Sequence, residues 1–206
     1  MKFIFVYLIC FCIFCAWLFY EQRKKQRAQR KASEEFWVRE ELANSTRNKD
    51  ISHLPLIQVP EDAIPFVETR DEAILYSIGQ IRQIIKEPMI DLSEYSNTDL
   101  KLAYGVGNFK TLSEYDEKFN TFLIALTNLA RAYERSGYHE EAKKTYLAAI
   151  HYGSHRVSDY EELAEVCLTL GHTGELEQLI REVESGDHPR KEKITALLRQ
   201  TLADHK

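Results

Sequence analysis

Apolar residues fall into two regimes along the chain. Phe3 to Tyr20 is an unbroken apolar run of eighteen residues, FIFVYLICFCIFCAWLFY. Beyond it, apolar positions recur every three or four residues among polar ones, the period of helices with one buried face. Thr69 and Glu72 have the spacing of a capping box, in which each side chain takes one of the free amides at a helix start. Ile74, Leu75, Ile78, Ile81 and Ile85 then predict one apolar stripe, stopped by Pro88. Ser96 or Asn97 is expected to start a short helix that Gly105 ends. Ser113 with Asp116 is expected to open the next, carrying Tyr115, Phe119, Phe122, Leu123, Leu126, Leu129, Ala130 and Tyr133 to Gly137. Further helices are expected from about His139 to Gly153, from the Ser158–Glu161 capping pair to Gly171, around Leu176, Leu179, Ile180 and Val183 to Gly186, and from Pro189 onward with Ile194, Leu197, Leu198 and Leu202. Helix follows helix in this way, so the expected fold class is all-α.

The first run has the length of a bilayer span, which needs about 17–25 apolar helical residues. A cleaved signal peptide would have a shorter apolar region and small residues at its end; Trp17, Leu18, Phe19 and Tyr20 stand there instead. Residues 1–20 are therefore expected to be a transmembrane anchor. Arg23, Lys24, Lys25, Arg27, Arg30 and Lys31 follow it, against Lys2 alone before it. Short flanks rich in Lys and Arg stay cytoplasmic, so the expected topology is single-pass in the cell membrane, N-terminus out and body cytoplasmic. The same six residues could touch anionic headgroups or serve only as the topology signal. Residues 21–50 form a charged stalk that continues the membrane helix to about Leu42. Pro55, Pro60 and Pro65 make residues 51–70 an extended linker, and residues 71–206 the helical body.

Charge sharpens the division. Residues 1–31 hold seven Lys/Arg and one Glu, a net of +6, so the remaining residues carry −11 of the chain's −5. Nucleic-acid affinity rests on Lys and Arg facing phosphates, so an acidic body argues against that partner. Cys10, Cys12 and Cys15 lie in the apolar run and Cys167 is alone in the body, which is not a disulfide framework. Cys167 occupies a packed helical position.

Catalytic constellations do not assemble. The seven histidines (53, 139, 151, 155, 172, 188 and 205) are scattered, and His151 and His155 are separated by Gly153. Asp91, Glu94 and Asp99 sit in a turn-rich passage where carboxylates cap helices. Gly105-Val106-Gly107 has no third glycine and no following Lys-Ser/Thr, so it lacks the phosphate-loop fingerprints. The reading is that the chain is not an enzyme and uses no cofactor, metal or small-molecule substrate.

A repeat emerges at a spacing of 34. Leu129 returns as Leu163, Ala130 as Ala164, Gly137 as Gly171, Tyr146 as Ile180 and Ala149 as Val183. This period, with Leu126, Leu129, Ala130, Tyr133, Ala142, Tyr146 and Ala149 in place, resembles the tetratricopeptide repeat. The copies fall at about 123–156 and 157–190, and the second is degenerate, with Leu176 where a small residue belongs. More loosely, the layout resembles single-pass bacterial membrane proteins with a short anchor, a basic flank and a tetratricopeptide-like body; SNTDLKLAYG and the EYD that follows carry that likeness, which supplies no function. The resemblance implies a short α-solenoid of antiparallel helix pairs with a C-terminal capping helix. It also implies that the first helix of each pair lines a concave face. Asn128, Arg131 and Arg135 would project there from one pair, and Glu161, Glu162 and Glu165 from the next. The expected function is a membrane-tethered scaffold or adaptor holding a protein or peptide partner at the cytoplasmic face. The alternative is a structural or regulatory subunit of a membrane complex that makes its contact through the transmembrane helix.

Overall fold

The computed structural model describes the backbone of residues 2–205 and the side chains of residues 11 and 14–205. It is all-helical: α1 (Lys2–Ser45), α2 (Glu72–Ile84), α3 (Asn97–Tyr104), α4 (Val106–Arg135), α5 (His139–His151), α6 (Val157–Thr169), α7 (Thr173–Ser185) and α8 (Lys191–Asp204). Among the described residues there is no strand. The chain divides into two compact units. One holds residues 1–53 and 93–111; the other holds 54–92 and 112–206. The passage 93–111, which the sequence reading places in the body, thus groups with the stalk. Residues of α4 through Thr111 belong to the first unit and the rest of α4 to the second.

In the first unit, α1 runs unbroken from the apolar run through the stalk, about 66 Å at 1.5 Å per residue. Most side chains of the Phe3–Tyr20 run, the expected anchor, lie outside the described residues. Among the described residues no helix is long and apolar enough to cross a membrane. The C-terminal part of α1 packs against α3. Ala43 and Leu100 are buried there. Glu40 takes hydrogen bonds from Lys101 and from Thr98 Oγ1, and these hold its carboxyl below the usual range. The short helix forms where expected: Ser96 and Asp99 make a reciprocal capping box, and Gly105 ends it.

The second unit has one core. Ile74, Ile78 and Ile81 of α2 join Phe119, Phe122, Leu126, Leu129 and Tyr133 of α4, Ala142, Tyr146 and Ala149 of α5, and the apolar faces of α6, α7 and α8. Residues 54–67 lie along these helices and carry no regular structure apart from one 3-10 turn, Glu61–Ala63, with extended backbone at Pro60 and Ile64 on either side of it. Ile64 is buried, Ile57 N–H donates to the Met89 carbonyl at 2.8 Å, and the Tyr133 hydroxyl donates to the Pro65 carbonyl. α5 packs on α6, and α8 packs on both α6 and α7 through Ile194 and Leu198. Gly137 and Gly171, 34 residues apart, both take positive φ (80° and 73°) just after α4 and α6, the left-handed backbone that lets a helix end sharply.

Four expectations about local structure are corrected. Thr69 does not cap α2. Asp71 does, accepting from the amides of Ala73 and Ile74, while Thr69 Oγ1 takes the Asp71 amide. Leu75 is 48% exposed: it sits about 100° round the helix from Ile74, off the line of Ile74, Ile78 and Ile81. Ser113 lies inside α4, which starts seven residues earlier at Val106, because nothing after Gly105 breaks the helix and Leu112 is wholly buried. Finally, α6 begins at Val157 without a side-chain cap on its first amides; Ser158 is already in the helix.

Candidate functional site

The six residues expected on the partner-facing surface separate into a closed pair and four open positions. Arg131 of α4 and Glu162 of α6 meet. Arg131 Nε lies 3.0 and 2.8 Å from the two Glu162 oxygens, and Nη2 donates to Oε1. The Tyr146 hydroxyl of α5 donates to Glu162 Oε2 at 2.7 Å. Burial, and then the Glu162 carboxylate, push the Tyr146 hydroxyl's pKa far above its ordinary value. This triad ties α4, α5 and α6 together and satisfies both charges internally. Asn128, Arg135, Glu161 and Glu165 are exposed. Arg135 turns back to its own helix, donating from Nε to the Arg131 carbonyl at 3.2 Å. Ile124, one turn before Asn128, is 48% exposed. With Arg131 neutralised, the surface offers an apolar side chain, an amide, the Arg135 guanidinium and two carboxylates.

Two further polar networks escaped the sequence reading. The carboxylate of Asp159 is wholly buried. Ser154 Oγ donates to its Oδ2, Thr127 Oγ1 lies 3.2 Å from Oδ1, and Arg156 Nε lies 3.3 Å from Oδ2. Arg156 Nη2 donates onward to the Leu123 carbonyl at 2.9 Å and to Thr127 Oγ1 at 2.7 Å. Both carboxylate oxygens and both hydroxyls here have partners, so the cluster fixes the entry to α6 against α4. In the second network, buried Lys143 of α5 reaches His172 Nδ1 at 2.9 Å, Glu175 Oε2 at 3.0 Å and Glu140 Oε2 at 3.2 Å. Burial opposes its charge, but the hydrogen bonds to Glu175 and Glu140 win and raise its pKa. Arg156 with Asp159 and Glu140 with Lys143 are local pairs three residues apart, but the bonds that tie each network to another helix span 29 to 33 residues, and no local spacing betrays those.

Cys167 is buried, and burial pushes its thiol up to about 11; a thiol that stays protonated is neither nucleophile nor metal ligand. Among the described residues no group of three or more His, Cys, Asp or Glu side chains is placed to hold a metal ion. An open cleft is lined by Asp62, Pro65, Lys144, Leu147, His151 and Tyr152.

On α1, Arg23, Lys24, Lys25, Arg27, Arg30 and Lys31 are all exposed. At about 100° per residue, five of them fall within about 120° of the helix surface, with Lys25 on the other side. Lys31 makes a loose pair with Glu35 at 3.8 Å, and among the described residues the others form no ion pair. Phe14, Trp17, Phe19 and Tyr20, just before them, are exposed aromatics. No protein-family model, no curated protein and no solved structure matches the chain.

Proposed function

We propose that this chain is a membrane-tethered interaction module: the Phe3–Tyr20 run anchors it, and a tetratricopeptide-like body holds a protein or peptide partner at the cytoplasmic face. The observation that carries the reading is the 34-residue recurrence in three dimensions. Leu129 and Leu163, Ala130 and Ala164, Tyr146 and Ile180, and Ala149 and Val183 are all buried, and α5, α6 and α7 are each thirteen residues long. The packing of α6 on α5 and of α8 on α6 and α7 is what stacked helix pairs require, with α8 as the closing helix. Support for the anchor comes from α1 itself, an unbroken helix that leads the apolar run into an exposed basic face. Binding is assigned to the exposed side of α4 and α6, where Ile124, Asn128, Glu161 and Glu165 stand beside the closed Arg131–Glu162 pair.

Cross-linking in cells, with the full chain and with a chain lacking residues 2–20, tests the reading. Full-length protein should stay with membranes after an alkaline carbonate wash, and the shortened one should not. The shortened chain should still cross-link to the same partner, and Glu161→Lys with Glu165→Lys should abolish that. Loss of the partner with the anchor, while circular dichroism shows the body still folded, would favour a subunit that makes its contact through the membrane helix.

A further inference from the structure

Two of the histidines that the sequence scatters meet in space. His155 lies in the connection from α5 to α6, and His188 in the connection from α7 to α8. His155 Nδ1 is 3.1 Å from His188 Nε2, and the rings stand edge to face with centroids 4.8 Å apart. The ring of Tyr160, from the first turn of α6, packs against His188 at 5.5 Å. On its other side His188 Nδ1 accepts the backbone N–H of Arg190 at 3.0 Å.

That last bond fixes the protons. Nδ1 of His188 must carry a lone pair, so the neutral ring holds its proton on Nε2. Nε2–H therefore donates to His155 Nδ1, and His155 keeps its own proton on Nε2. The arrangement has no place for another proton. On His155 it would set N–H against N–H; on His188 it would set Nδ1–H against the Arg190 amide. The same bond argues against a metal between the rings. A metal-bound imidazole uses one nitrogen and donates the other N–H to an acceptor, whereas His188 Nδ1 faces a donor.

We propose that the His155–His188 contact is a pH-operated clasp, joining the α5–α6 and α7–α8 connections while both rings are neutral and opening when the pair takes up a proton. The surroundings of His188 favour its neutral ring. Arg190 adds positive charge beside it. Lys191 donates to the Gly186 carbonyl across the same turn. Tyr160 is held protonated by burial and by Asp159, and Asp159 is occupied by Ser154, Thr127 and Arg156. Asp187 and Glu192 are exposed and form no ion pair with either ring. Burial, then His155 and Arg190, hold His188 below the ordinary imidazole range. The folded chain therefore takes up this proton less readily than the unfolded chain. The contact's stabilisation is complete above about pH 6.5 and is lost as the pH falls below that value.

Hydrogen exchange on the full chain in detergent micelles, at about pH 7.5 and about pH 5.5 and corrected for intrinsic rates, tests the clasp. Amides of residues 153–158 and 187–194 should lose protection several-fold in acid, and His155→Gln with His188→Gln should remove that dependence. Equal protection at both pH values, or the same acid loss in the double variant, would overturn the proposal. So would a gain of protection on adding zinc chloride at the higher pH, which would mark a metal site. A titration of the histidine Cε1–H resonances in the wild-type chain needs no variant. The His188 midpoint should fall below about 6.5, and a midpoint at or above it would equally overturn the clasp.

Discussion

The amide of Gly107 donates to the side chain of Asn48 at 2.8 Å, and a Cβ on Gly107 would stand 2.2 Å from Asn48 Nδ2. The Gly105-Val106-Gly107 passage is thus a close backbone approach between the segment after α1 and the start of α4. Gly105 is the stricter of the two. Its φ is +91°, and a Cβ there would meet backbone, Asn48 Cα at 2.5 Å and the Arg47 carbonyl oxygen at 2.6 Å.

Gly105→Ala should therefore be the damaging change, at about 1–3 kcal/mol for the backbone conformation with the clash added. Gly107→Ala pushes only on a side chain that can turn away, and loses a hydrogen bond worth about 1 kcal/mol. It also gains about 1 kcal/mol of helix propensity, so it should be close to neutral. Exchange at the Lys49 amide, which donates to the Tyr104 carbonyl at 2.9 Å, reads this contact locally. Equal effects of the two substitutions would mean that the approach is looser than it stands here.

The Arg131–Glu162–Tyr146 triad predicts unequal consequences for its members. The ion pair is partly solvated, with side chains 45% and 23% exposed, so a double-mutant cycle between Arg131→Ala and Glu162→Ala should give a coupling of about 0.5–1 kcal/mol that weakens with salt. Tyr146→Phe should cost about 1 kcal/mol and leave the Arg131–Glu162 coupling in place. If Arg131→Ala weakened partner cross-linking while leaving stability unchanged, Arg131 would belong to the binding surface.

How much of this was legible in the sequence depended on whether the signal was local. The ends of α4, α5 and α6 follow Gly137, Gly153 and Gly171, all with positive φ, because glycine reaches that backbone at no steric cost. Starts were harder. Thr69 and Asp71 both suit an N-cap, and only the fold showed that Asp71 takes two amides. Ser113 with Asp116 has the spacing of a cap, yet a serine inside a helix costs only a few tenths of a kcal/mol, too little to break α4 against the burial of Leu112. Which charges on α4 and α6 would pair was beyond the sequence. Arg131 finds Glu162 rather than Glu161 or Glu165 because helix rotation and tilt choose among them. The Asp159 and Lys143 networks contain local pairs three residues apart, but the bonds that carry them to another helix span about thirty residues, where sequence spacing carries no geometry.

Buried Asp159 predicts a larger effect than any surface charge. Asp159→Ala leaves the Ser154 hydroxyl without its acceptor and removes the carboxylate beside Arg156, at about 1.5–3 kcal/mol. Thr127→Val, which deletes one hydroxyl of the same network, should cost less. Urea denaturation of the two variants checks the order. The reverse ranking would place the weight of the network on Arg156 and Thr127.

Cys167 should resist labelling. With its thiol pushed up to about 11, it holds about 100-fold fewer thiolates near neutrality than an ordinary cysteine at about 8.5–9, and it is buried as well. Iodoacetamide at about pH 8 should modify Cys167 only after denaturant is added, as read by site-resolved mass spectrometry. Rapid labelling in the native chain would show that α6 opens readily against α7 and α8.

Removal of α8 is the most demanding change. Ile194 and Leu198 are wholly buried, and α8 packs on both α6 and α7. On its outer side Arg199 pairs with Glu184 of α7, while Lys193 stays in water. Burying two aliphatic side chains is worth about 1.5–3 kcal/mol each before entropy, and the deletion would also uncover apolar surface on α6 and α7. Against a net stability of about 5–15 kcal/mol for a domain, ending the chain after Gly186 should lower Tm steeply or unfold the second unit. Ile194→Ala, at about 2–5 kcal/mol, should move in the same direction with α8 still present. A truncated chain that melts with the full one, while Ile194→Ala is also silent, would show that α8 only lies on the surface, and its apolar stripe would then become a surface open to a partner.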